Sequence, residues 1–313
     1  MKAYQNLLKK ELRRGSRASW RRFIKEITTS KKLPHKKGLW RMSRWSRQAP
    51  GVKTPHISAL RRNGQEEATQ DNVERAQILA EKFFPGQGLA DLSDIENDQQ
   101  APSQIDAQVF ITADEVKKVI KELPNGKAPG PDSIPNEVLK IIAPAVAEDL
   151  AQAISKLLQD GEIPRSYKES ITVALRKERK ADYTLPSSYR PIALENMLAK
   201  VIEKIVATEL ADIAEEHNLL PWNQMGGRRK RSTLSAINLL TSCIQTAWES
   251  KKGCVVSMLS LDISGAYDHV STERLIWILQ KKGLPEWIIR YVRSFMQGRR
   301  TRIAFDGYES KWV

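Results

Sequence analysis

The chain has 313 residues, 41% of them hydrophobic and 28% charged, which suits one large domain or two ordinary ones with a real core. Its formal net charge of +14 is unevenly placed: residues 1–62 carry 19 basic and 2 acidic residues, whereas residues 63–110 carry 2 basic and 10 acidic ones. Two cysteines (Cys243, Cys254) and four scattered histidines exclude a disulfide framework and disfavour structural zinc, and no apolar run reaches the ~18 residues of a membrane span. A protein without a membrane segment, inside the cell in nucleus or cytoplasm, is expected.

Residues 1–30 have helical apolar spacing among basic residues, and Trp40 and Trp45 follow between cations. A basic arm of this kind fits either a phosphate backbone or a solvated tail. "DNVERAQILAEKFF" (71–84) is predicted helical, and the acidic, Pro/Gly-punctuated stretch after it reads as a linker. Thr112 and Glu115 form a capping box that opens a helix stopped at Pro124. "PNGKAPGPD" is a shaped loop. Pro135 then starts a helix with Val138, Leu139 and Ile142 inward, and "PAVAEDLAQAISKLLQD" is another amphipathic helix ended by Gly161.

"ESITVALR" is the first strong strand signal. A long helix is predicted over 196–216, a second one capped by Ser232, and an apolar strand over "GCVVSMLSLD" (253–262). Ser271 caps the next helix, Gly283 closes it, Pro285 opens another, and "TRIAFDGYES" carries the Asp-Gly signature of a tight hairpin. The pattern is α+β with helices dominating.

The chemistry concentrates in "SLDISGAYDHV" (260–270). A carboxylate fixed at the end of a strand suits Mg²⁺, which requires near-octahedral oxygen ligands. Gly265 and Ala266 leave room for a ligand, and Tyr267 offers it a flat surface. An aspartate closing a strand is also a common turn former.

"KAPGPDSIPNEVLK" (127–140), "YRPIALENMLAKVIEKIV" (189–206), "NQMGGRRKRSTLSAI" (223–237) and "LSLDISGAYDHVSTERL" (259–275) occur in the order and spacing of the reverse transcriptases of non-LTR (LINE-like) retrotransposons, which the region 110–313 resembles. The resemblance implies a right-hand polymerase fold: a basic helical arm (1–62), an acidic helix and linker (63–110), fingers (111–255) and the start of a palm (256–313) with a small antiparallel sheet. It implies that Asp262 is the first catalytic aspartate, that Asp262 and the Ile263 backbone carbonyl bind two Mg²⁺ ions, and that Tyr267 is the steric gate beside Gly265 and Ala266. Asp268 is read as a structural cap. Arg190 and Lys177 match cations that contact the incoming dNTP triphosphate. Gln224, Arg228, Arg231 and Lys127 match positions facing nucleic acid, and RNA template and DNA primer are the implied partners.

Three departures stand out: Glu178-Arg179 replaces a usual Pro-Gly turn, Lys230 stands where Gly is common, and Ser133 replaces a usual Gly. The family's later "GxPQGSP"-like and "[FY]xDD" segments do not occur in the 313 residues, and no Asp-Asp pair does. The expectation is therefore the fingers and first part of the palm of a truncated RNA-directed DNA polymerase, inactive alone unless another chain supplies the complementing half. The alternative is a non-catalytic nucleic-acid-binding protein using the arm and fingers.

Overall fold

Hydrogen bonds between near neighbours set most helix starts. The computed structural model describes residues 54–86, 90–95, 104–250, 253–263, 265–267 and 269–313. The basic helix expected over 1–30, Trp40, Trp45 and Asp268 lie outside them. Helix α1 (Asn72–Phe83) starts at Asp71, whose carboxylate accepts from the Glu74 amide at 2.9 Å. Helix α2 (Ala113–Glu122) has the complete Thr112–Glu115 capping box. Helix α3 (Asn136–Asp160) ends at Gly161, whose φ of 73° is left-handed. That position also lacks room, since a Cβ there would lie 2.6 Å from the Arg290 Cβ.

Two helices expected around Pro144 are one. The proline sits inside α3, where it removes one backbone donor. Leu139, Ile142, Ala143, Ala147, Ala151, Ile154 and Leu158 form a continuous buried stripe on both sides of it, and this packing outweighs the local break.

The chain divides into two units. The first holds the described residues up to Gly86, Asp106–Lys204 and Pro285–Val313. Its strands β1 (Glu169–Arg176), β2 (Tyr189–Glu195), β3 (Arg300–Phe305) and β4 (Tyr308–Glu309) form one sheet in the order β2-β1-β3-β4. β1 pairs antiparallel with β2 but parallel with β3, so the sheet is mixed rather than antiparallel as expected. The physical reason is that the nearest partner for the free edge of β1 is a strand more than a hundred residues away, beyond the reach of a hairpin turn. Asp306 and Gly307, at φ 48° and 77°, make the β3–β4 turn. Pro191 lies on the edge strand β2, where a missing donor is tolerated.

Residues 54–60 and α1 cover one face of the sheet, where Ile57, Leu60, Leu79 and Phe83 pack with Ala174, Tyr189, Ile303 and Phe305. A buried guanidinium locks this layer. Arg75 donates to the Ile57 carbonyl at 3.2 Å, pairs with Asp306 at 3.2 Å, and lies over the Phe305 ring at 4.9 Å. On the same sheet, the hydroxyls of Ser170, Thr172 and Thr301 satisfy one another across β1 and β3. α3 packs on α2 and on helix α7 (Glu286–Met296).

Helix α4 (Met197–Glu216) begins in the first unit and ends in the second. The second unit also holds helices α5 (Thr233–Ser250) and α6 (Thr272–Lys281). Ser232 and Ser271 cap these two, accepting from the Ser235 and Arg274 amides at 3.1 and 3.2 Å.

The strand expected over 253–262 does not form. Residues 253–263 carry no strand assignment, and Leu259, Leu261 and Ile263 are 82, 83 and 76% exposed. A strand is stable only against a neighbour that takes its amides and carbonyls, and among the described residues this run has none. Among the described residues no helix is long and apolar enough to cross a membrane.

Arg75→Ala leaves the Ile57 carbonyl without its side-chain donor and removes one partner of the Asp306 carboxylate, and is expected to lower stability by about 1–3 kcal/mol. Arg302→Ala, which breaks a part-exposed pair with Glu309, should cost under about 1 kcal/mol. Urea unfolding of the two variants separates them, and equal losses would contradict the locking role of Arg75.

Candidate functional site

Lys177 follows the last residue of β1, and Arg190 stands on β2 opposite Leu175. The loop between these strands, 177–188, is braced at every stage. Lys177 donates its amide to Ser188 and its ammonium to the Ser187 carbonyl, at 2.8 and 2.9 Å. The Tyr183 hydroxyl donates to the Lys177 carbonyl, and that of Tyr189 to the Tyr183 carbonyl. Asp182 accepts from the Thr184 hydroxyl and amide and pairs with Arg61 at 2.8 Å. Those hydrogen bonds, the Thr184 hydroxyl first, hold its carboxyl down at about 2.

The two triphosphate candidates thus stand at the same end of the paired strands β1 and β2. Burial, with the charges of Lys180, Arg190 and Lys82, lowers the Lys177 ammonium from its ordinary range. Arg190 is exposed. Lys82 and Lys180 were not visible as site residues in sequence: Lys82 lies about a hundred positions away on α1, and only tertiary packing brings it in.

Lys127 is exposed in the loop between α2 and α3, which also contains Gly130. Gly130 meets the end of β2 so closely that a Cβ would come within 2.3 Å of the Glu195 carbonyl carbon. The same loop is held by the Asp132 amide, which donates to the Asn196 side chain at 3.0 Å. Burial raises the Asp132 carboxyl above its usual range.

The remaining candidates belong to the second unit. Arg228 makes a two-pronged pair with Glu215, at 2.8 and 2.6 Å, and donates to the Pro221 carbonyl at 2.7 Å. Its side chain is 8% exposed, so the structure ties it to the end of α4. Arg231 and Gln224 are exposed. Asp262 and Ile263 are exposed, and Gly265 (φ 62°), Ala266 and Tyr267 lie in a turn, with Tyr267 93% exposed. Asp262 and the Ile263 carbonyl provide two oxygens of an octahedral set. Among the described residues no group of three or more His, Cys, Asp or Glu side chains could hold a metal ion. These residues do not by themselves fit a Mg²⁺ pair.

One buried carboxylate was also invisible in sequence. Glu203 on α4 borders a small pocket with Tyr167, Ile202, Tyr291 and Phe295. Burial, reinforced by Glu195 and a hydrogen bond to it, pushes Glu203 up to about 7, against the opposing charges of Arg299 and Lys200. Arg299 pairs with Glu195 and lies over the Phe295 ring at 4.2 Å. The only trace in sequence is a Glu beside the apolar stripe of α4.

Residues 176–311 match the reverse transcriptase (RNA-dependent DNA polymerase) family. The chain is 32% identical over 190 residues to a probable RNA-directed DNA polymerase from transposon BS of Drosophila melanogaster, covering 61% of this chain and 20% of that one. It is 26% identical over 312 residues to the RNA-directed DNA polymerase from mobile element jockey of Drosophila melanogaster, covering 97% and 33%. It is 31% identical over 234 residues to a probable RNA-directed DNA polymerase from transposon X-element of Drosophila melanogaster, covering 72% and 25%. The helix-rich α+β fold with its small mixed sheet is compatible with this class of protein. Over residues 176–311 the chain is of the reverse transcriptase family, and the relatives it resembles are RNA-directed DNA polymerases of non-LTR retrotransposons. It spans a third or less of the length of these relatives.

The raised Glu203 value has a consequence for stability. Its folded value lies above the unfolded ~4.3, so the native state holds the extra proton between them. The stability this contributes is full below about pH 4.3 and is lost as pH rises through about 7. Glu203→Gln should flatten that fall, as read from urea midpoints at about pH 5 and about pH 8. An unchanged difference between those midpoints would contradict the assignment.

Proposed function

We propose that this chain supplies the fingers and the first part of the palm of an RNA-directed DNA polymerase that copies RNA template from a DNA primer. The observation that carries the reading is the 32% identity over 190 residues to a transposon polymerase, a span long enough to include the segments of Arg190, Arg228 and Asp262. In this reading 111–255 are fingers, 256–313 begin the palm, 63–110 connect, and 1–62 are a basic arm that adds affinity for nucleic acid. The setting is the nucleus or cytoplasm.

Lys177 and Arg190 bind the triphosphate of the incoming dNTP, for which a planar multi-donor guanidinium and a fixed ammonium are suited. Tyr267 is the sugar gate, with Gly265 and Ala266 beside it, and Gln224, Arg231, Arg228 and Lys127 face template or nucleotide. For Arg228 this requires exchanging Glu215 for phosphate. Asp262 and the Ile263 carbonyl provide part of a two-Mg²⁺ site whose further carboxylates come from another segment, since metal-assisted phosphoryl transfer needs ions held on both sides of the reacting phosphate. Residues 1–313 alone are then inactive. The relatives named as polymerases favour this reading over a non-catalytic nucleic-acid-binding protein.

The test joins the 313-residue chain to the remaining polymerase segment of the transposon BS relative and follows extension of a primed RNA template with Mg²⁺ and dNTPs. The joined protein should extend the primer, Asp262→Ala should reduce extension to background, and the chain alone should give none. Extension by the chain alone refutes the inactivity, and an active Asp262→Ala protein refutes the role of Asp262.

A further inference from the structure

Helix α1 lies outside the residues that match the reverse transcriptase family, yet it packs on the end of the loop that carries Lys177. The helix packs against the turn formed by Pro186–Ser188, whose Ser187 carbonyl holds the Lys177 ammonium. Leu79 and Phe83 share a core with Ala174 and Tyr189, which fixes the helix on the strands that carry Lys177 and Arg190. Lys82 stands in the last turn of α1. Lys180 comes from the braced loop itself.

Two of the carboxylates nearest in sequence are already taken. Glu81 pairs with Arg62 at 3.3 Å, and Asp182 with Arg61 at 2.8 Å. Glu178 is exposed, and among the described residues neither it nor any other carboxylate forms an ion pair with Lys82, Lys177, Lys180 or Arg190. A folded surface that gathers like charges around one partly desolvated ammonium opposes its own charge unless a polyanion completes it. Burial first, and then the charges of Lys180, Arg190 and Lys82, lower the Lys177 ammonium. A nucleic-acid backbone spreads its charge along a groove. Convergence on one lysine fits a compact polyphosphate instead.

We propose that Lys82 and Lys180 extend the Lys177–Arg190 pair into a clamp for the polyphosphate tail of a nucleoside triphosphate, with helix α1 delivering Lys82. This rests on the reading of Lys177 and Arg190 as triphosphate contacts. Lys82 is a binding residue supplied from outside the matched region, and α1 becomes part of the nucleotide site.

Calorimetric titration of the full chain with inorganic tripolyphosphate at low salt tests it. Lys82→Gln and Lys180→Gln should each weaken binding about three- to fivefold, the scale of one exposed charge pair. Lys82→Arg should restore it. Unchanged binding in Lys82→Gln beside weakened binding in Arg190→Ala overturns the proposal and leaves the Lys177–Arg190 reading standing. Binding that neither Arg190→Ala nor Lys177→Gln weakens, or no binding by the unsubstituted chain, overturns both. A Lys82→Gln protein that loses affinity for a single-stranded RNA oligonucleotide but not for tripolyphosphate assigns the lysine to nucleic acid and also overturns the proposal.

Discussion

The Arg75 guanidinium joins three segments that are distant in sequence: the extended residues 54–58, helix α1 and the tip of the β3–β4 hairpin. Its carboxylate partner, Asp306, occupies a left-handed turn position, and its amide donates to the Pro55 carbonyl at 3.2 Å. The next amide, that of Gly307, donates to the Thr54 hydroxyl at 2.7 Å. His56 also reaches Asp306, at 2.8 Å. The hairpin tip is therefore tied to residues 54–56, and the buried Arg75 charge is tolerated only while its partners stay in place. Helix α1 is held on the sheet by that requirement as much as by its apolar face.

The consequence reaches the cationic site. β1 ends and β2 begins beside the loop 177–188, and α1 supports the turn from which that loop returns. Asp182, Tyr183, Ser188 and Tyr189 each hold part of it by a hydrogen bond within the loop or to its ends. A site for a flexible polyanion gains from such bracing because fewer side chains and loop residues remain to be ordered on binding. The usual Pro-Gly turn of the resemblance is absent here, and Arg179 takes φ 58° instead. Hydrogen bonds around the loop fulfil the role that turn chemistry would otherwise have.

Sequence was informative where structure is decided by neighbours. The capping box at Thr112, the caps at Ser232 and Ser271, the Gly161 stop and the Asp306-Gly307 hairpin are all one-turn hydrogen-bond events, and each is present. It failed where the decision is made far away. The parallel pairing of β1 with β3, the continuation of α3 through Pro144 and the missing strand at 253–262 depend on packing partners that no local pattern names. The candidate site divides in the same way. Arg190 and Lys177 stand in a motif and on adjacent strands, whereas Lys82 and Glu203 became visible only through tertiary contacts.

The two chemical parts of the proposed polymerase site therefore differ in how far the chain prepares them. The cations grow out of a hydrogen-bonded sheet and a braced loop. Asp262 stands after an exposed apolar run with no ladder, and a metal such as Mg²⁺ needs oxygen ligands held in fixed directions. Rigidity at Asp262 would come from a strand pairing with residues 253–261, since such a neighbour would cover Leu259 and Leu261 and satisfy the backbone that carries the carboxylate. What the aspartate requires first is a sheet partner, and further carboxylates are of use only once that partner has fixed its direction.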